Sequence, residues 1–544
     1  MMKTRKPLAL LLVVMLLAAM VPATAGAQGK SITIAFPQEP DNLNPMYTTM
    51  TFAGYTYQIF LAGAWDFDRD LNPHPVLVTE MPSLENGGIS EDGTVLTINL
   101  RDDIQWSDGT PITSADFVFT YEMMMSDANS PLQRAPYDVV ASVEAPDPTT
   151  VVVTFFEPYA PWAATLYQWV LPEHVLRPVF EADGTLDNAE WNRNPTVGSA
   201  AYVFDTWQVG SFVRFVRNDN YYNAPANIDT VVVSVVPDDQ AYLAGLKNED
   251  FDVGTFIAFS DIPELEATGN VTIDIRPSGY NEGWFLNVRE GLGHPALQDV
   301  RVRKALAMGF NRWQITEDLL LGYTYPSASY WENMPAANPE IEPYPYDPEM
   351  AAQLLDDAGW VDTNGDGIRD KDGVELVLRF VTNMRQIRMD VQVVAQQALA
   401  ELGVGIEIIN YPSDIFFNSF ADGGPTAIGD YDIGQWSSSV FFPDPEVTRF
   451  RCDQIPTEEK PVGGNWSGTC DPELDALFAE QARTVDYDAR MAIFHQIDAK
   501  MYELATWIGI WYDADVWVIN NRIQNAAVNG ATPFWNIAEW DVAG

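Results

Sequence analysis

The feature that most restricts the fold of this 544-residue chain is the alternation of β-type runs and helical patterns from end to end, without an internal repeat. Ser31–Phe36 alternates as a strand, and a turn-rich loop holding Glu39, Asp41 and Asn44 follows it. Residues 95–100 form a second β-type run. Thr113 then caps a helix, with Asp116 at capping-box spacing and Phe117, Tyr121 and Met124 on one face. Residues 196–254 are β-rich, with β-branched and aromatic runs at 212–216 and 230–236. Helices dominate later. Asp299 caps one that places Val302, Ala305, Leu306 and Gly309 on a stripe; Asp347-Pro348 opens another, with Ala351, Leu354, Leu355 and Ala358 inward and Gly359 as its stop. Asp471-Pro472 opens a third, Phe494, Ile497, Met501 and Leu504 stripe a fourth, and 511–519 returns to strand. Such interleaving predicts α/β lobes rather than a solenoid or an all-β sandwich. At about 150 residues per domain the length allows three or four domains.

The first segment stands outside that pattern. Lys3, Arg5 and Lys6 precede an apolar run at 8–20, and Ala23-Thr24-Ala25 and Ala25-Gly26-Ala27 offer small-residue cleavage sites. This reads as a secretory signal over 1–27, its apolar run too short to span a bilayer. With no cysteine near the cleavage point and no later apolar stretch of about 18 residues, the expectation is an exported, soluble, periplasmic or extracellular protein without a lipid anchor. The two cysteines, Cys452 and Cys470, flank a Pro/Gly/Ser-rich stretch. In an oxidising compartment they read as one disulfide closing a loop; two free thiols or a redox pair are the competing readings, the latter normally spaced C-x-x-C. The four histidines are scattered without ligand spacing, which argues against zinc. A formal net charge of −47 argues against readers of nucleic acid or of anionic membrane surfaces and favours a neutral, zwitterionic or cationic ligand.

A series of local motifs then runs in order along the chain. Ser90-Glu91-Asp92-Gly93-Thr94 leads through a strand to Leu100-Arg101, Trp106-Ser107-Asp108-Gly109-Thr110-Pro111 and the Thr113–Val118 helix start. Asn194-Pro195 with Gly198 and Tyr202, Arg217-Asn218 with Tyr221-Tyr222, residues 299–306 with Asn311-Arg312, and residues 471–475 with Arg490 and Tyr512 follow. Each is a turn or cap by itself. Together they resemble the bacterial extracellular solute-binding proteins of family 5, the receptors of peptide-type ABC importers. The resemblance implies an α/β, two-lobed periplasmic-binding-protein-like fold of class II type, with an extra subdomain on the smaller lobe. The expected division is signal peptide 1–27, lobe I start 28–50, extra subdomain 51–190, lobe I continued 191–283, lobe II 284–512 and a lobe I return 513–544. It also implies hinge closure on a solute, delivery to membrane permease subunits, and a monomer that alters no bond in its cargo.

In peptide receptors of this family a carboxylate shortly after a Trp grips the ligand's ammonium. The matching segment is Trp436-Ser437-Ser438-Ser439, with Ser439 at the carboxylate position, where a hydroxyl supplies no charge. Asp444 could substitute after realignment. Trp436, Ser437, Ser439, Trp284, Asn287 and Tyr47 are the expected ligand-binding residues, with Phe285 beside them. The cargo is expected to be an oligopeptide, with an oligosaccharide as the alternative. Residues 362–370 resemble a calcium loop, with Asp362, Asn364, Asp366, Ile368 and Asp370 at the ligand positions, but the twelfth position is Gly373 rather than a bidentate Glu. No cofactor is required; the loop reads either as an Asp/Gly turn before the 374–381 strand or as a structural Ca2+ site remote from the cleft. A secreted glycoside hydrolase is the remote rival, since 77 acids make carboxylate pairs unavoidable, and no nucleophile elbow, H-E-x-x-H or phosphate loop is present.

Overall fold

The computed structural model describes residues 29–48, 50–420, 422–439 and 444–543; the expected signal segment lies outside the described residues. Among those residues the largest sheet has ten strands. In order across it they are Gly405–Tyr411, Val377–Asn383, Ile433–Ser439, Val271–Leu286, Trp507–Asn520, Val253–Gly254, Ser31–Phe36, Thr230–Val235, Phe212–Arg217 and Tyr202–Gln208. Pairing is parallel around Ser31–Phe36 and around Val377–Asn383, and antiparallel in the middle.

The two middle strands are long because they serve both lobes. At about 3.4 Å per residue, the 16 residues of Val271–Leu286 reach roughly 50 Å. Ile273 and Ile275 pack in lobe I with Tyr242 and Leu243, whereas Trp284 and Leu286 pack in lobe II with Val302 and Leu306. The partner Trp507–Asn520 divides the same way, Val516 and Val518 in lobe I, Ile508, Ile510 and Trp511 in lobe II. Between the two cores their ladder loses register, from Pro277 to Asn281 and again from Glu282 to Gly283. Such irregularities bend and twist a strand pair, and these lie where the chain passes between the lobes.

The stretch expected as an extra subdomain folds as a three-stranded sheet, Val95–Asn99, Thr150–Phe155 and Val140–Asp147, with helices Ser114–Met125 and Glu173–Asp183. Its Leu96, Trp106 and Phe117 share one apolar cluster with Ile32 and Phe36, so it is fused to lobe I. The helix starts legible in sequence form as read: Thr113 and Asp116 make the reciprocal capping box, and Asp299, Asp347 and Asp471 each accept a first-turn backbone N–H. Cys452 and Cys470 are joined as a disulfide. Among the described residues no helix is long and apolar enough to cross a membrane.

Candidate functional site

Strand alternation at the crossing turns polar groups out of the two cores and toward each other. Glu282, fully buried, accepts two hydrogen bonds of 2.8 Å from Arg388 on the helix Gln386–Ala400, one of 3.0 Å from the Gln435 amide and one of 2.7 Å from the Ser437 hydroxyl. Burial pushes the Glu282 carboxyl up, but the bidentate Arg388 guanidinium outweighs it and holds it below its usual range. This pair is self-neutralising.

The facing strand supplies two more carboxylates. The Ser437 hydroxyl lies 3.3 Å from Asp513 Oδ2, and Asp515 receives a long hydrogen bond of 3.4 Å from the Tyr55 hydroxyl on helix Thr51–Gln58. Asp513 is pushed up by burial, opposed by Arg385; Asp515 is pushed up to about 7 by burial and by Asp513. Among the described residues neither makes a salt bridge. Asp515 opens on a cavity of 290 Å³ walled by Thr51, Tyr55, Phe256, Ser278 and Tyr280, with Tyr280 exposed. Asp515 is the acidic residue in that wall, with Asp513 two residues along the same strand face; such a recess suits positively charged hydrogen-bond donors.

The lobes also meet away from the crossing strands. Val485, in lobe II, packs against the lobe I apolar cluster, next to Gly93 and Pro158 of the fused subdomain.

The residues expected from sequence divide between core and crossing. Ser437 stands at the crossing. Ser439 ends its strand opposite Tyr280, and its side chain lies outside the described residues. Trp436 is 2% exposed and stacks on Phe285 at 4.1 Å between ring centroids. Period-two alternation points Trp436 into the lobe II core and Ser437 to the crossing. Trp284 and Asn287 are corrections. Trp284 is fully buried against Phe310, its indole donating to Gln435, and Asn287 donates to the Gly429 and Tyr431 carbonyls, so neither is available to a ligand. Tyr47 donates to Asp187 within lobe I and does not line the cleft cavity. Asp444 is held by both Arg490 terminal nitrogens, at 2.6 and 3.0 Å, and is no substitute carboxylate.

The expected calcium loop is unsupported. Asp362 accepts from the Gly365 and Gly367 amides, Asp366 from the Ile368 amide and the Asn364 side chain, and Asp370 from Thr363. Its carboxylates are thus turned onto the loop itself, and among the described residues no group of three or more His, Cys, Asp or Glu side chains is gathered as for a metal. The sequence reading missed Asp513 and Asp515. Their signal was two acids two residues apart, hence on one face, inside the apolar strand 511–519.

Two lobes with separate cores, joined by two crossing strands around a carboxylate-bearing cleft, define a solute-binding receptor fold. The chain belongs to the bacterial extracellular solute-binding proteins, family 5 (Middle), which match residues 72–451. It is 26% identical to the oligopeptide-binding protein AppA of Bacillus subtilis, over 100% of each chain, and 24% identical to the dipeptide-binding protein of Escherichia coli, over 88% of this chain and 89% of that one. Among solved structures, AppA of B. subtilis in complex with a nonapeptide superposes with a TM-score of 0.72 at 24% identity, covering 95% of this chain and 99% of that one. NikZ from Campylobacter jejuni in complex with Ni(L-His) gives 0.74 at 23% identity, covering 94% and 99%.

Proposed function

We propose that this receptor captures an oligopeptide, or a solute of like size with a free amine, by closing its lobes on it, and delivers it unaltered to ABC-importer permease subunits. The observation that carries the reading is the Asp513/Asp515 pair, two carboxylates with no salt bridge beside Tyr55 and Tyr280 where the strands cross. An N-terminal ammonium or basic side chain entering there exchanges water for charge-assisted hydrogen bonds, which are about twice as strong as neutral ones. This restores the charge that Ser439 does not supply. The relatives named as oligopeptide- and dipeptide-binding support the same cargo class. Ser437, beside Asp513, completes the polar face; Ser439 and Trp436 are assigned a secondary part, as the end and the buried backing of that strand.

Thermal-shift titration with a peptide panel tests this, since a ligand bound only by the folded state raises the melting temperature. Free-amine peptides are expected to stabilise the protein, and their N-acetylated forms to do so far less. Equal stabilisation by both forms, or stabilisation by neutral oligosaccharides alone, would sink the proposal. Mass spectrometry of co-purifying solute identifies the cargo and shows whether it is returned intact.

A further inference from the structure

A second, larger cavity of 940 Å³ lies wholly inside lobe I. Its walls come from the hairpin of Trp65–Phe67 with Pro73–Pro75, from the turn around Tyr221 and Asn223, and from the C-terminal return around Trp535 and Glu539. No residue of 284–512 lines it; the 290 Å³ cavity at Asp515 is likewise lined from outside 284–512, and the two share Tyr57, Gln58 and Ala531 as a common wall. Its volume falls in the range that encloses a small organic ligand.

Its chemistry is one-sided. The charged side chains in its wall are Asp66 and Glu539, with His74 as the one basic group and no Lys or Arg. The hairpin register sets Asp66 opposite His74, and the His74 Nδ1 lies 3.1 Å from Asp66 Oδ1. The His74 ring in turn meets the Trp535 ring edge-on at 5.6 Å. Glu539 accepts one long bond, 3.3 Å, from the Asn536 amide. A guanidinium does reach the wall, Arg101 donating to the Asn223 side chain at 3.0 Å, but its Nε and Nη2 are committed to Asp103 at 2.8 Å each. Gln58 closes the side toward the Asp515 cavity, where its amide donates to the Ala531 carbonyl; its Oε1 is buried and, among the described residues, accepts nothing. The wall therefore offers Glu539, the Asp66 oxygen that His74 does not hold and an idle amide oxygen among aromatic faces, which matches a hydrogen-bond donor that carries positive charge.

We infer that this lobe I recess is a second binding site, on the far side of Gln58 from the Asp515 cavity, for an organic cation bearing an ammonium or guanidinium on an apolar or aromatic body. Rings such as Tyr57, Trp65 and Trp535 would cover the body, and Asp66, Glu539 and Gln58 Oε1 would receive the cationic head.

The full chain is titrated with benzylammonium and with agmatine, and with benzyl alcohol as the neutral isostere, by calorimetry and saturation-transfer difference NMR. The cations are expected to bind and benzyl alcohol not. Affinity is expected to fall roughly tenfold or more in the Asp66→Asn/Glu539→Gln double variant, which removes charge at nearly constant shape, and to persist in Asp515→Asn. If the double variant loses its cooperative melt, Trp535→Leu replaces it with the same expectation. No binding by either cation overturns the inference. So does binding that survives the Asp66/Glu539 and Trp535 variants and disappears in Asp515→Asn, which would place the probe in the Asp515 cavity. Because that cavity is titrated separately with peptides, either site can fail without the other.

Discussion

At the scale of single residues, the proposed contact of cargo with Asp515 would tie ligand capture to pH. Its carboxyl is pushed up to about 7, first by burial and then by Asp513. An unfolded Asp titrates near 3.9. The folded state therefore holds this proton more tightly, and the stability it contributes is full below about pH 4 and lost as pH rises through 7. Asp498, pushed up to about 7 by burial, acts in the same direction. Capture of a cation requires the ionised carboxylate, so affinity runs the opposite way. With a midpoint near 7, only about one molecule in thirty is competent at pH 5.5, and a free-amine peptide should bind roughly thirtyfold more weakly there than at pH 8.5. Calorimetry at the two pH values checks this, and Asp515→Asn should bind weakly at both. A pH dependence unchanged in Asp515→Asn would assign the proton elsewhere. The neighbouring Glu282–Arg388 pair behaves as structure: Arg388→Ala strands a buried carboxylate and should cost about 3–5 kcal/mol in urea denaturation.

At the scale of elements, the crossing strands depend on close approach. Gly283 faces Gly509 across the ladder, and a Cβ on Gly509 would sit 2.5 Å from the Ser327 carbonyl oxygen. Backbone cannot yield as a flexible side chain does, so Gly509→Ala should destabilise by roughly 1–3 kcal/mol, read as a lowered midpoint of urea unfolding with an unchanged slope. This is also the scale at which sequence was most informative. The caps at Thr113, Asp299, Asp347 and Asp471 are settled within three or four residues, and sequence exposes that directly. The site is not local. Asp515 meets Tyr55 across 460 positions and Ser437 meets Glu282 across 155, distances over which neither periodicity nor spacing carries information. Trp284, Trp436 and Asn287 were the visible residues because large aromatics and amides suit both a cleft and a core. Only the strand's facing separates these roles, and the core took all three.

At the scale of the whole molecule, the lobes are held by the crossing strands and by side-chain contacts beyond them, among which are the stacked Phe259 and Tyr323 rings and the Val485 contact, and two of these attachments are open to test. One is the crossing pair, whose ladder is broken between Pro277 and Asn281, so bending there disturbs few hydrogen bonds. The other is the contact of Val485 with the lobe I cluster beside Gly93 and Pro158, which can form only while the lobes are together. A contact present in the closed state and absent from the open one biases their populations without touching cargo. Apparent affinity is the intrinsic affinity scaled by the closed fraction, so weakening this contact should weaken binding while leaving every cleft residue in place. Val485→Asp places a charge against that apolar cluster and is expected to enlarge the radius of gyration of the unliganded protein in small-angle scattering. It should also lower peptide affinity, and saturating peptide should restore the compact radius. A variant that binds more weakly at unchanged radius would mean that Val485 acts on the site directly, and a variant with neither change would assign closure to the crossing strands and the Phe259–Tyr323 stack.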